Sequence, residues 1–104
     1  MELVLSVKER IVFPGLLKTQ GKFEDMVARE ELIGKVKFSV KETEELEIKQ
    51  LDNGSITWNQ DKAQDITIEV SDLEVAFIAK CLKELSEQEK LPVDVVSLWK
   101  KVIS

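Results

Sequence analysis

The stretch LEIKQLDNGSITWNQDKAQDITIEV, residues 46–70, decides the predicted fold because its apolar and polar residues alternate. Alternation with a period of two places the apolar residues of a strand on one face of a sheet. The stretch therefore predicts a three-stranded antiparallel meander, with strands at about 46–51, 55–59 and 65–70. The apolar positions fall into three runs, which are Leu46 and Ile48, then Ile56 and Trp58, then Ile66, Ile68 and Val70.

The turn between the first two strands sets their register. A loop of two residues would place Ile48 and Trp58 on opposite faces of the hairpin. A loop of three residues, 52–54, pairs Gln50 with Ile56 and brings Ile48 opposite Trp58. A slip of one residue would turn the whole apolar set of a strand to solvent, so we predict the three-residue loop. Its usual form is a type I turn followed by a left-handed residue, a conformation that the final glycine of this loop adopts without steric penalty.

Helices are predicted to cover one face of this sheet, which makes the fold class α+β. The Ser-x-x-Glu spacing of a capping box occurs at Ser6, Ser39 and Ser71. The first two boxes share the tetrapeptide Ser-Val-Lys-Glu, but the residues that follow differ, so we interpret them as independent caps and not as an internal repeat. The caps and the helical spacing of apolar residues predict helices near 7–17, 22–35, 40–45, 72–87 and 93–103.

The helix boundaries and faces can also be predicted. The first helix is expected to end or kink at Pro14, with one further turn as an alternative. The second is expected to stop at Gly34, and residues 36–40 are interpreted as its end and a loop although they alternate. Residues 1–5 are expected to form a short strand at the edge of the sheet. The second helix is expected to turn four residues inward, which are Phe23, Met26, Val27 and Ile33.

The helix near 72–87 has apolar residues, including Leu73, over more than half of its circumference, so it is expected to lie across the sheet. Trp58 would then pack against Phe77 or Ile78. We interpret Trp58 as a core residue, in preference to an exposed recognition residue of the kind enriched in binding hot spots.

The composition predicts one soluble domain. The chain has 104 residues, of which 43% are hydrophobic and 34% charged, as in globular proteins. No apolar run approaches the roughly 20 residues of a membrane span, and residues 1–5 are too short for a signal peptide. The single cysteine, Cys81, excludes an internal disulfide and fits a reducing compartment. We therefore expect a cytoplasmic location and no membrane partner.

The residue types present argue against catalysis. Histidine is absent, which excludes an imidazole base or metal ligand, and tyrosine is absent too. Cys81 lies on the apolar face of a helix and is interpreted as a core residue. Residues 52–54 lack the further ligands of a calcium loop and are interpreted as a turn. Carboxylate pairs such as Glu44 with Glu45 or Glu84 with Glu87 are interpreted as solvated. We predict no catalytic, cofactor-binding or metal-binding residue, no cofactor, and a protein that is not an enzyme.

The charge is unevenly distributed, which bears on nucleic acid. Residues 39–74 hold ten acidic and three basic residues, a net charge of −7, whereas the whole chain has −5. Phosphate binding needs clustered lysine and arginine. The short helix before the hairpin and the tip of the hairpin are acidic instead. We therefore expect no nucleic-acid binding.

Several short motifs are spread over most of the chain. They are Ser6 with Glu9-Arg10, Gly15-Leu16-Leu17, the acidic segment before Leu46-Glu47-Ile48, then Ile56-Thr57-Trp58-Asn59, and the Leu-Lys-Glu-Leu of residues 82–85. Together they resemble the motifs of small prophage-like bacterial proteins of unknown function. This resemblance implies a phage or mobile-element context and no activity, and no functional residue follows from it.

The absence of catalytic residue types predicts a non-catalytic binding or assembly module that acts through a protein partner or its own dimer, and the resemblance implies that this module is phage-like. Leu98, Trp99 and Ile103 of the last helix are a candidate apolar contact patch, with core packing the preferred role of Trp99. One alternative is an acidic DNA-mimic or regulatory protein. Another is a small enzyme that uses carboxylates and Mg²⁺.

Overall fold

The computed structural model describes residues 1–103, and its mixture of helices and antiparallel strand pairs confirms the α+β class. No helix in this part of the chain is long and apolar enough to cross a membrane. Two short 3-10 turns lie at Gln60–Lys62 and Val93–Val95. The other elements are β1 (Glu2–Leu5), α1 (Val7–Leu16), α2 (Phe23–Val36), α3 (Val40–Glu45), β2 (Lys49–Gln50), β3 (Ile56–Thr57), β4 (Ile66–Glu69), α4 (Asp72–Glu87) and α5 (Val96–Val102).

Helices α1, α3 and α4 begin at the three capping boxes that the sequence predicts. Ser6, Ser39 and Ser71 each accept the backbone N–H of the glutamate three residues later, at 3.0–3.2 Å. That glutamate in turn accepts the N–H of the serine at 2.9–3.1 Å. Each box therefore satisfies two donors that a helix start would leave unpaired. α1 also contains Pro14 and continues to Leu16, which is the further turn that the sequence allowed.

The prediction of a three-stranded meander is wrong, because the strands form two separate two-stranded sheets. β4 pairs with β1 and not with the hairpin, and Leu3 lies opposite Ile68 while Leu5 lies opposite Ile66. Leu3 and Leu5 are fully buried, so β1 provides the apolar strand that the prediction assigned to the hairpin. The expected strand at residues 1–5 is therefore confirmed, and it forms half of the sheet in the core.

The register of the β2–β3 hairpin is confirmed. Gln50 lies opposite Ile56, as the three-residue loop requires. The Gly54 N–H donates to the Leu51 carbonyl at 2.9 Å, and Gly54 has a φ of 86°. This left-handed conformation costs glycine no steric penalty.

Both strands of the hairpin are shorter than predicted. The first strand begins late because residues 46 and 47 cap the end of α3. Leu46 is the C-cap of α3, and Glu47 has a left-handed φ of 54°. The Ile48 N–H donates to the Thr43 carbonyl at 3.1 Å, which is the longer hydrogen bond of a Schellman motif. The chain therefore turns into β2 only at Lys49.

α2 turns a different face toward the core from the one predicted. Met26 and Ile33 do pack against the core, but Phe23 is 83% exposed and Val27 is exposed as well. Gly34 does not end the helix, which continues to a fully buried valine at its last position. The buried face consists of residues four positions apart, Ala28, Leu32 and Val36.

α4 and α5 complete the core. Phe77 and Cys81 of α4 are buried, which confirms the predicted core cysteine, whereas Leu73 is exposed contrary to prediction. Leu98 of α5 is fully buried, and Trp99 is half-buried against the same cluster. α4 packs on α2 and α5, so it does not lie across the hairpin.

Two strand–helix units of the core resemble each other. The first unit is residues 3–17 and the second is residues 68–82, and each consists of a strand, a serine cap and a helix. Leu3 and Ile68 are equivalent positions and also lie directly opposite each other in the ladder. Val7 and Arg10 of the first unit and Phe77 of the second are buried without a buried equivalent. Six equivalent pairs are buried in both units, which are Leu3 with Ile68, Leu5 with Val70, Glu9 with Glu74, Phe13 with Ile78, Leu16 with Cys81, and Leu17 with Leu82.

Candidate functional site

The β2–β3 hairpin presents apolar side chains outside the main core. The ladder places Gln50 opposite Ile56, and Ile48 and Trp58 lie two residues from these positions at the base of the hairpin. We call these four residues the hairpin face. Ile56 is 40% exposed, while Ile48 and Trp58 are half-buried, and none of the three belongs to the core cluster or packs against it. Stability of the core therefore gives no reason for these three apolar residues.

The base of the hairpin is fastened to the end of α3. The Asn59 N–H donates to the Leu46 carbonyl at 2.7 Å, and the Asn59 side-chain amide donates to Glu47 Oε2 at 2.7 Å. Leu46 is buried although it lies outside the main core cluster. These contacts hold the base of the hairpin against the end of α3.

A cleft of about 560 Å³ lies beside the hairpin base, between α3 and the segment that leads into β4. Its lining includes four carboxylates and two basic groups, a net charge of −2. Arg10 and Glu42 neutralise each other at 2.8 Å, so the charges that remain open to a ligand are mainly acidic. The charged lining residues are Arg10, Glu42, Glu45, Asp61, Lys62 and Asp65.

Arg10 is a buried hub that joins α1, the end of α2 and α3. Its side chain is 3% exposed. Nε donates to the Val36 carbonyl at 3.0 Å, and Nη2 donates to the Lys37 carbonyl at 3.0 Å. Nη1 and Nη2 both donate to Glu42, and the guanidinium lies 4.0 Å from the ring centroid of Phe38. This role of Arg10 could not be predicted, because its partners are distant in the sequence.

Each capping-box glutamate also binds a basic side chain from a distant part of the chain. Lys101 lies 2.7 Å from Glu9, Arg10 lies 2.8 Å from Glu42, and Lys35 lies 2.9 Å from Glu74. Glu9 and Glu74 are themselves buried. The three helix starts are therefore tied to the tertiary structure through the same glutamates that cap them.

These contacts lower the pKa of all three carboxyl groups. Burial alone would raise the pKa of Glu9 and Glu74, but hydrogen bonds outweigh it, from Lys101, Ser6 and Ser97 to Glu9 and from Lys35 and Ser71 to Glu74. The hydrogen bond from Arg10 is the main cause of the lowered pKa of Glu42, with the Ser39 N–H next. All three groups therefore favour the ionised form in the folded chain.

We expect the free energy of unfolding to fall as the pH drops below the ordinary glutamate pKa of 4.5. Because the folded-state pKa values lie lower, the unfolded chain takes up more protons in this range, and stability is lost as the pH falls through the folded values. Urea unfolding between neutral pH and about pH 3 would measure this loss.

A triple variant, Glu9→Gln, Glu42→Gln and Glu74→Gln, is the control for the acid dependence. It should be less stable at neutral pH and should show a flatter pH profile below the glutamate pKa. Equal acid slopes for the variant and the wild type would show that other carboxylates cause the loss.

The residues that the sequence singled out are dispersed. Leu98 is fully buried, so it cannot be part of the predicted C-terminal contact patch. Trp99 packs against the core cluster, which is the role preferred for it from the sequence. Glu84 forms an ion pair with Lys18 and does not converge with Glu87. Residues 52–54 form the hairpin turn. Trp58 lies away from Phe77 and Ile78, so its predicted place in the core is wrong.

Two features of the described residues bear on metal binding and catalysis. Within residues 1–103, no three carboxylate or thiol groups converge in the way that a metal ion requires. Burial raises the pKa of the Cys81 thiol, which disfavours the reactive thiolate. The acidic cleft and the hairpin face are thus the candidate site. Comparison with protein-family models, curated proteins and solved structures gives no significant match for the chain.

Proposed function

We propose that this domain is a non-catalytic protein-binding module and that the hairpin face is its contact element. The observation that carries the proposal is that Ile48, Ile56 and Trp58 lie on the hairpin and outside the core, with Ile56 exposed and Ile48 and Trp58 half-buried. Apolar and aromatic residues that keep exposed surface are typical of the anchors of protein interfaces. A phage or mobile-element origin, implied by the sequence resemblance, belongs to the same proposal.

The partner is expected to present a basic surface. Residues 39–74 carry a net charge of −7 and include both the hairpin and most of the cleft lining. Complementary charge raises the rate and the specificity of association. Two copies of this region would repel each other, so the hairpin face favours a different protein over a homodimer.

The proposal predicts that a partner depends on the hairpin face. Extract from the host cell is passed over the immobilised chain, and retained proteins are quantified by mass spectrometry. The variant Ile56→Ser with Trp58→Ala should retain the partner at least about tenfold less, which corresponds to about 1.4 kcal/mol. Retention by the wild type should also fall at high salt, because the contact is partly electrostatic.

The matched control is Phe23→Ser, which removes an even more exposed apolar side chain from α2. It should retain the partner as the wild type does. Equal retention by the hairpin variant would contradict the proposal, as would a wild type that retains no specific protein. If the retained protein binds nucleic acid and DNA displaces the chain from it, the acidic region acts as a DNA mimic.

A further inference from the structure

Within residues 1–103, the sheet in the core contains only β1 and β4, so it has two open edges. The Val70 N–H donates to the Met1 carbonyl at 2.8 Å, which identifies this as a hydrogen-bonded pair. Such pairs alternate along an antiparallel ladder. Glu2 and Val4 of β1, and Thr67 and Glu69 of β4, therefore direct their N–H and C=O groups outward.

Each open edge holds a lysine on one of these outward carbonyls. Lys101 Nζ donates to the Val4 carbonyl at 2.8 Å, and Lys35 Nζ donates to the Glu69 carbonyl at 2.8 Å. The carbonyls occupy equivalent positions, two residues before the capping serine of each strand–helix unit. Each lysine also binds the glutamate of that cap, at 2.7 Å for Lys101 and at 2.9 Å for Lys35.

We propose that Lys101 guards the β1 edge against pairing with a second copy of this chain. Unpaired edge strands are templates for pairing with another chain, and lysine is one of the residues that block them. An antiparallel pair centred on Val4 would place Val4 opposite Val4 of the second copy and Glu2 opposite its Ser6. The Ser6 N–H and carbonyl are already bonded at the start of α1, so the hydrogen bonds between the two Val4 residues would join the strands. Val4 is 44% exposed, and α1 packs against β1.

The β4 edge is less suited to such pairing. A symmetric pair centred on Thr67 would place Asp65 opposite Glu69 of the second copy. Like charges directly opposite each other destabilise a strand pair. The β1 edge carries no such conflict, so Lys101 is the lysine whose loss should have the larger effect. This inference concerns an edge of the core sheet and does not depend on the proposed role of the hairpin.

The test compares Lys101→Met with Lys100→Met by sedimentation over a range of concentrations. Both variants lose one positive charge from α5, but Lys100 makes no hydrogen bond to the sheet within residues 1–103. Lys101→Met should dimerise with a dissociation constant at least about tenfold lower than that of Lys100→Met, a difference of about 1.4 kcal/mol. Lys101→Arg, which can still donate to the carbonyl, and Lys35→Met should behave like Lys100→Met.

Two further variants keep the test decisive. Lys101→Met leaves the buried Glu9 without its cation, so Lys101→Met with Glu9→Gln removes that charge in case the single variant does not fold. Adding Val4→Glu to Lys101→Met should restore the monomer, because two glutamates would then face each other. Monomeric behaviour of both Lys101→Met variants would overturn the proposal, and so would a dimer that survives Val4→Glu.

Discussion

Replacing Arg10 with methionine is expected to lower the free energy of unfolding by about 3 kcal/mol or more. The substitution leaves the Val36 and Lys37 carbonyls without their donor and Glu42 without its cation. Hydrogen bonds to charged groups contribute about 1.5–3 kcal/mol each, and a buried acceptor left unpaired costs more than the bond contributed. Urea unfolding followed by circular dichroism measures the loss.

Two milder variants, Arg10→Lys and Glu42→Gln, separate the contribution of the charge from that of the hydrogen bonds to the carbonyls. Arg10→Lys keeps the charge but cannot bind two carbonyls and a carboxylate at once, so its loss should be intermediate. Glu42→Gln should cost less, about 1 kcal/mol, since the Glu42 side chain is 37% exposed. A loss below about 0.5 kcal/mol for Arg10→Met, as at an ordinary surface site, would contradict the role of Arg10 as a hub. Hydrogen exchange of residues 36–46 should rise first in the methionine variant.

Local features of the fold could be predicted because short-range chemistry determines them. A serine and a glutamate three residues apart satisfy each other's backbone groups wherever they occur, and all three boxes were identified from this spacing. The hairpin register followed from the loop length and the glycine at position 54. Each of these features depends on fewer than about ten neighbouring residues.

The pairing of the strands could not be predicted from the same signals. β1 contains three consecutive apolar residues, Leu3-Val4-Leu5, whereas the hairpin strands alternate, so a period of two favoured the wrong partner for β4. The choice depends on the tertiary core, where Leu3 and Leu5 are buried and Ile56 is not. The equivalence of residues 3–17 and 68–82 is hidden for the same reason, since the two units share burial and caps but few identical residues. The repeated Ser-Val-Lys-Glu tetrapeptide occurs at the boxes of Ser6 and Ser39, whereas the two equivalent units contain the boxes of Ser6 and Ser71. Its interpretation as two independent caps agrees with the structure.

The hairpin face was predicted to be part of the core because its apolar and polar residues alternate as in a core strand. The spacing of Ile48, Ile56 and Trp58 is that of half-buried strands. No local sequence feature indicates that the core sheet is formed by β1 and β4 instead. The error on α2 has a similar cause, since Phe23 and Val27 have helical spacing while the smaller Ala28 faces the core. The basic partners of the capping glutamates are distant in sequence, so only the structure reveals them.

Phe77→Ala is expected to cost about 3–5 kcal/mol, the usual loss for truncating a buried aromatic residue. Phe77 is 2% exposed and lies in the core cluster. For a domain near this size, such a loss lowers the melting temperature by more than about 10 °C. Trp58→Ala should cost about 1 kcal/mol or less, because Trp58 lies outside that cluster although it is the larger side chain.

Thermal and urea unfolding of the two variants, with Phe23→Ala as a control near zero, measure this difference. A folded Trp58→Ala also makes the binding test meaningful, because loss of the partner then cannot be attributed to unfolding. If Trp58→Ala destabilises the domain as much as Phe77→Ala, Trp58 anchors a second core beneath the hairpin, and the hairpin face is a structural surface. If the losses separate as expected, stability does not account for a tryptophan on this hairpin, and contact with a partner is the role that its position supports.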